Sequence, residues 1–181
     1  MSFLKDEMGI RGKVTFTVFG PDGNIKKRKN SWLRNFLRLP EKDMISINHN
    51  IVTNEGDALV ADLLQETPER TKVDNTNGLI GVGTGYVSEL KTTDALVTQT
   101  GSDEAMDATY PVTKGDWAAA DDGVIVYQST FEAGDLNDTG IDEALLGNGT
   151  DTLAYAQITP TVDVTTSDTL QVTWEITFLG A

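Results

Sequence analysis

Residues 170–179 read LQVTWEITFL, and their regular alternation is the strongest structural signal in the chain. Five apolar side chains share one parity: Leu170, Val172, Trp174, Ile176 and Phe178. Successive side chains of an extended chain point to opposite faces, whereas a helix would scatter these five around its circumference. The stretch therefore predicts a β-strand with one buried and one solvated face. The five apolar residues are its predicted core anchors.

A strand of this kind needs partners, and several other segments have the composition of strands. The candidates are residues 13–19, 44–52, 108–112, 124–131 and 154–158. We expect the last of them to pair with the C-terminal strand as a hairpin across a turn near residues 163–168. Seven or eight strands with a single helix predict a mainly β fold, an antiparallel β-sandwich or barrel-like body.

The one predicted helix covers about residues 54–66. Asn54 can cap its first free amides, and Glu55 and Asp57 complement the positive end of the helix dipole. Pro68 follows the last apolar residues and ends the helix.

A β-hairpin is predicted near the N-terminus, because residues 13–19 and 25–32 flank the turn sequence GPDGN. The returning strand carries KKRK at residues 26–29, which puts positive charge on both faces and predicts an edge or an outlying ribbon. Such charges either prevent unwanted strand pairing or bind a partner. Residues 31–40 could form a short helix that caps the core or docks on a partner.

The charge of the chain is strongly segregated. The net charge of −14 combines +6 in residues 1–42 with −20 in the remainder. We therefore predict a basic N-terminal arm and hairpin over residues 1–45 and an acidic β-sandwich body with one helix over residues 46–181. Opposite charges on one chain suit contacts between neighbouring copies. The predicted partner-docking residues are Lys26, Lys27, Arg28, Lys29, Trp32, Arg34 and Arg38.

No sequence pattern singles out enzyme chemistry, although a chain with 28 acidic residues leaves open a carboxylate pair for glycoside hydrolysis. There is no cysteine, and His49 is the only histidine, without a second ligand or a nucleophile near it. The GVGTG sequence at residues 81–85 lacks the Lys-Ser/Thr pair of a phosphate-binding loop. The simpler interpretation is that these glycines let a strand bend or let two backbones approach closely. We predict a non-enzymatic protein with no catalytic, cofactor-binding or metal-binding residues.

One acidic stretch begins like a calcium-binding loop at Asp135. The twelfth position, where a bidentate Glu belongs, is Leu146. The helix–loop–helix form is thereby excluded, and a looser site through Asp135, Asn137, Asp142 or Glu143 stays open beside a simple acidic loop.

The order of several short motifs over residues 50–181 resembles a group of small structural proteins from tailed bacteriophages and prophages. The motifs are NIVTNEG (50–56), IGVGTG (80–85), DAL (94–96), IDEAL (141–145) and DTLQVTWEITF (168–178). Leu145 stands where those proteins commonly have Gly. The resemblance implies a virion component of the head, neck or tail, with no catalytic residues.

The expected function is that of a self-assembling neck, collar or tail component that docks through its basic hairpin. Its partners would be copies of itself and other virion proteins. The sequence contains no signal-peptide pattern and no long apolar run, so synthesis in the cytoplasm, away from membranes, is expected. The resemblance implies that this is the cytoplasm of a host bacterium and that the protein is located in the virion. An acidic chain is a poor nucleic-acid binder, so nucleic acid is expected only as packaged DNA nearby. The alternatives are a capsid decoration protein and a carbohydrate- or receptor-binding β-sandwich module.

Overall fold

A computed structural model describes residues 9–29, 32, 36–114 and 123–179. Within these residues there are nine β-strands and one α-helix of ten residues, α1 (Asn54–Leu63), which follows β2. The strands are β1 (Gly9–Phe19), β2 (Ile45–Val52), β3 (Leu79–Thr84), β4 (Thr98–Ala105), β5 (Val112–Lys114), β6 (Val124–Phe131), β7 (Asp138–Gly147), β8 (Thr152–Val164) and β9 (Thr169–Leu179).

The nine strands form one antiparallel sheet in the order β4-β3-β7-β8-β2-β1-β9-β6-β5. The sheet curls into a half-barrel, so that the segment after β4 lies along β6. There the Asp107 N–H donates to the Gln128 carbonyl at 2.8 Å, and the Ser129 hydroxyl donates to the Glu104 carbonyl at 3.3 Å. The predicted mainly β, barrel-like class with one helix is confirmed.

Strand β9 lies inside the sheet, between β1 and β6. Leu170, Val172, Trp174 and Ile176 are fully buried, and Phe178 is partly buried against the same core. The apolar residues of β1 sit beside them in register. Burial of a large apolar side chain contributes about 1.5–3 kcal/mol, so this row is a main source of stability. The indole N–H of Trp174 has no hydrogen-bond partner, which leaves packing as its contribution.

One expected strand pairing differs from the structure. Strand β8 was expected to pair with β9, but it pairs with β7 and β2 instead. Residues 9–19, assigned to an N-terminal arm and hairpin, form β1, which pairs with β9 along its whole length. Val14, Phe16 and Val18 of this strand are fully buried in the core of the body.

The hairpin-like turn after β1 is present. Phe19 pairs with Ile25 across the turn, and the Lys26 N–H donates to the Val18 carbonyl at 2.8 Å. The chain then meets the residues before β2, where the Arg28 N–H donates to the Lys42 carbonyl at 2.8 Å. Residues 25–29 form only isolated bridges instead of the continuous strand that was expected.

Helix α1 ends at Leu63, three residues before the expected end. Its cap is Thr53 and not Asn54, because the Thr53 hydroxyl accepts from the Gly56 N–H at 3.0 Å. Gly56 is required for close packing on β8. A Cβ atom there would lie 2.2 Å from the Leu153 carbonyl oxygen.

The strand expected at residues 108–112 is a turn, and β5 begins only at Val112. The Tyr110 N–H donates to the Asp107 carbonyl at 3.0 Å, and Thr109 has a positive φ of 83°. Pro111 has no N–H to offer a neighbouring strand, which explains the late start of β5.

Candidate interaction surface

The basic residues after β1 lie at the end of the sheet where β1 ends and β9 begins. Lys26 donates to Asp168 at 2.5 Å and to the Asp163 carbonyl at 3.3 Å. The Asp168 side chain is only 3% exposed. Burial raises the pKa of Asp168, but hydrogen bonds from Lys26 and Thr165 outweigh it and hold the pKa below its ordinary value. Lys26 is therefore part of the packing of the turn before β9.

Arg28 joins three parts of the chain. Its guanidinium donates to the Ser46 hydroxyl at 2.8 Å and to the Pro160 carbonyl at 3.3 Å, and it also reaches the Thr161 carbonyl. Lys27 forms an exposed ion pair with Asp43. Three of the predicted docking residues, Lys26, Lys27 and Arg28, thus bind groups of their own chain.

Three of the remaining predicted docking residues are exposed to solvent. Lys29 is exposed, and Arg38 is exposed with a positive φ of 52°. Trp32 is 78% exposed. Arg34 lies outside the described residues.

Large apolar side chains around Trp32 face solvent. Phe36 is 76% exposed, and Leu37 and Leu39 are exposed as well. We refer to the described residues Trp32 and 36–39 as the docking segment. Exposed apolar side chains that occur together, rather than singly, mark contacts with other molecules. The docking role is predicted from the sequence mainly by its charges. In the structure Lys26 and Arg28 are only partly exposed, whereas the large apolar side chains of the docking segment are exposed together with Lys29 and Arg38.

An apolar pocket lies at the opposite end of the sheet, where β1 begins and β9 ends. Its volume is about 340 Å³, and it is lined by residues of both α1 and the sheet. Leu64 at its rim is 84% exposed. We refer to it as the end pocket; its lining includes Ile10, Leu59, Val60, Leu63, Leu64, Ile125, Tyr127 and Phe178. No sequence pattern indicated this pocket, because Leu63 and Leu64 fit the apolar stripe of a packed helix.

A buried carboxylate in β7 binds the start of β4 and a tyrosine of β8. Glu143 has no exposed surface and accepts from the N–H groups of Val97 and Thr98, both at 3.0 Å, and from the Tyr155 hydroxyl at 2.5 Å. Burial, followed by the contact with Glu143, raises the pKa of Tyr155 well above its ordinary value. The ring of Tyr155 stacks on Tyr86 at 6.2 Å between centroids. All three donors come from the protein itself, so this arrangement fixes the start of β4.

The calcium-like stretch is not a loop over most of its length, since β7 begins at Asp138. The Asp142 carboxylate accepts from the Tyr86 N–H at 3.0 Å, and the Asp135 carboxylate accepts from the Glu132 N–H at 2.6 Å. These groups bind separate segments of backbone. In the described ranges, no group of three His, Cys, Asp or Glu side chains is arranged to hold a metal ion.

The glycines at residues 81–85 belong mostly to β3, a strand with a buried centre. A Cβ atom at Gly83 would lie 2.4 Å from the Thr98 carbonyl oxygen. Gly83 therefore permits a close approach of the backbones of β3 and β4, which is one of the two roles expected of these glycines.

Comparisons with protein-family models, with curated proteins and with solved structures returned no match. Among the described residues, no helix has the length and apolar character needed to cross a bilayer. The docking segment and the end pocket are therefore the features on which a function can be argued.

Proposed function

We propose that this protein is a non-enzymatic structural component of a tailed-phage virion, of the neck, collar or tail, and that it self-associates through the docking segment. The observation that carries the proposal is the joint exposure of the apolar side chains of Trp32, Phe36, Leu37 and Leu39. They follow the basic residues 26–29, which we refer to as the basic cluster. The ordered motifs over residues 50–181 supply the link to virion proteins.

The basic cluster, which precedes the docking segment, is bound to the folded body of the protein. Lys26 and Arg28 attach the chain before it to Asp168, Ser46 and Pro160. Rigid attachment reduces the entropy that is lost when a surface segment binds a partner. The apolar side chains of the segment then supply the contact area, and the exposed charges of Lys29 and Arg38 select acidic partners.

The body of the same chain is such a partner. Residues 43–181 carry a net charge of −20, so every copy presents an acidic surface to the basic segment of another. Other acidic virion proteins fit the same description. A capsid decoration protein would use the same contact on the surface of the shell.

Light scattering on the full-length chain over a range of concentrations tests the proposal. We expect an average mass above the 19.6 kDa of one chain, falling towards it as salt is added, because salt screens the attraction between the opposite charges. We also expect the chain in purified phage particles. A protein that stays monomeric at every concentration and is missing from particles would refute the proposal. Binding to a glycan array that is lost on Trp32→Ala would instead favour the carbohydrate-binding alternative.

A further inference from the structure

The docking segment and the end pocket lie at opposite ends of the same two strands. Val18 pairs with Leu170 near the basic cluster, and Ile10 pairs with Phe178 at the pocket. These two residue pairs are eight positions apart along each strand, which corresponds to about 27 Å.

Phe36 cannot reach the end pocket of its own chain. It is six residues from Lys42, which is held at the basic end by its bond to the Arg28 N–H. Six extended residues span at most about 20 Å, which is less than the strand distance of about 27 Å. Trp32 is four residues from Arg28, which is held at the same end, and four extended residues span at most about 14 Å. Any aromatic side chain of the segment that enters an end pocket must therefore enter the pocket of another copy.

The end pocket has the size and polarity for such a side chain. An apolar cavity of about 150 Å³ takes up benzene, so the end pocket, with its larger volume of about 340 Å³, has room for an aromatic ring. Leu59, Ile125 and Phe178 provide apolar walls. Leu63 and Leu64 leave apolar surface exposed at the rim, where it would be covered by the incoming segment.

The charges around the two sites are complementary. Residues 55–74, which form most of α1 and the chain after it, contain six acidic and two basic residues. Residues 26–42 contain seven basic residues and one acidic residue. Each region also has charges paired within the chain: Arg70 with Asp151 and Asp57 with Lys91 near the pocket, and Lys26 with Asp168 and Lys27 with Asp43 in the basic cluster. The segment of one copy is therefore attracted to the pocket region of another and repelled by a second segment.

We infer that copies of this chain associate head to tail, with the docking segment of one copy inserting Trp32 or Phe36 into the end pocket of the next. The inference rests on the proposed self-association and specifies its acceptor site. A contact between two different surfaces is heterologous, and it builds a closed ring or an open filament instead of a symmetric dimer.

Mixing two variants, each of which lacks one side of the proposed contact, tests the inference directly. The Trp32→Ala/Phe36→Ala variant lacks the inserting side chains, and the Leu63→Arg/Leu64→Arg variant carries charge at the pocket rim. Each is expected to be monomeric alone. Their equimolar mixture is expected to form a dimer of about 39 kDa, twice the chain mass of 19.6 kDa, because one intact segment and one intact pocket remain. Leu90→Arg changes an exposed leucine outside the pocket and is expected to assemble like the native chain.

The outcomes separate this inference from the proposed function. If the pocket variant assembles like the native chain, or if the mixture stays monomeric, the end pocket is not the acceptor. Loss of assembly in the segment variant alone would then leave the proposed function standing. A native chain that does not self-associate would overturn both. Circular dichroism and thermal unfolding of each variant show whether it is folded.

Disulfide trapping gives a second readout, because the chain contains no cysteine of its own. Phe36→Cys and Leu64→Cys are prepared as separate proteins, mixed and oxidised. We expect a disulfide-linked heterodimer that exceeds either homodimer at least tenfold. A heterodimer only about twice as abundant as each homodimer, which is the ratio that random pairing of equal amounts gives, would contradict the inference.

Discussion

Trp174 in β9 has no exposed surface, whereas Trp32 in the docking segment is 78% exposed. Trp174 belongs to an alternating strand whose neighbours on both sides, Val14 and Tyr127, are also buried. Trp32 follows a run of four basic residues and lies in none of the nine strands that the structure describes. The same side chain therefore stabilises the fold in one place and remains available for contact in the other.

The largest expected effect is on stability at the buried tryptophan. Trp174→Ala leaves a cavity in the centre of the core and should lower the free energy of unfolding by about 3–5 kcal/mol. Trp32→Ala removes an exposed side chain and should change it by less than about 0.5 kcal/mol. Urea denaturation of both variants measures the difference. Similar losses in the two variants would show that Trp32 is also part of the packed structure.

A smaller loss is expected at the buried carboxylate. Glu143→Ala leaves two backbone N–H groups and the Tyr155 hydroxyl without their acceptor and should cost about 2–4 kcal/mol. Glu132→Ala, at an exposed position, is the matched control and should have little effect. Urea denaturation again provides the comparison. Equal stability of Glu143→Ala and the native chain would mean that water replaces the carboxylate at little cost.

The sequence predicts the strands better than it predicts their partners. Alternation within β9 and β6 is local, and it identified both strands and the buried face of β9. Pairing is a long-range property: β9 pairs with β1, about 150 residues earlier, and nothing within either strand specifies that choice. Strand β7 was missed because its acidic residues resemble a loop, although Asp142 and Glu143 each accept hydrogen bonds from distant backbone.

The same limit applies to the interaction surface. The sequence showed the basic cluster, but its partners Asp168, Ser46 and Pro160 approach it only in the folded chain. The end pocket is likewise formed by α1 and four separate strands, β1, β6, β8 and β9. Its acceptor role could not have been proposed from any single stretch.

The ion pair between Lys26 and Asp168 should make stability depend on pH. Because the pKa of Asp168 is lowered in the folded protein, its contribution is fully present above the ordinary value of about 3.8 and is lost as the pH falls through the lowered pKa. Asp168→Asn should cost about 1–2 kcal/mol at neutral pH, and this cost should shrink as the pH falls below about 3.8. Denaturation across this range tests the claim.

Asp43→Asn is the matched control for that measurement. Its pair with Lys27 is exposed, and exposed pairs contribute about 0–1 kcal/mol. A difference between Asp168→Asn and the native chain that stays constant with pH would contradict the ion-pair account of the basic cluster.

Sedimentation velocity of the docking-segment variants tests the central claim most directly. The account predicts that Trp32→Ala/Phe36→Ala weakens self-association about tenfold or more, because truncation of interface aromatics usually has large effects, and that its stability is unchanged. Val87→Ala, which alters a side chain that is 77% exposed on the body, should associate like the native chain. Unchanged association in the segment variant, or an equal loss in Val87→Ala, would contradict the account.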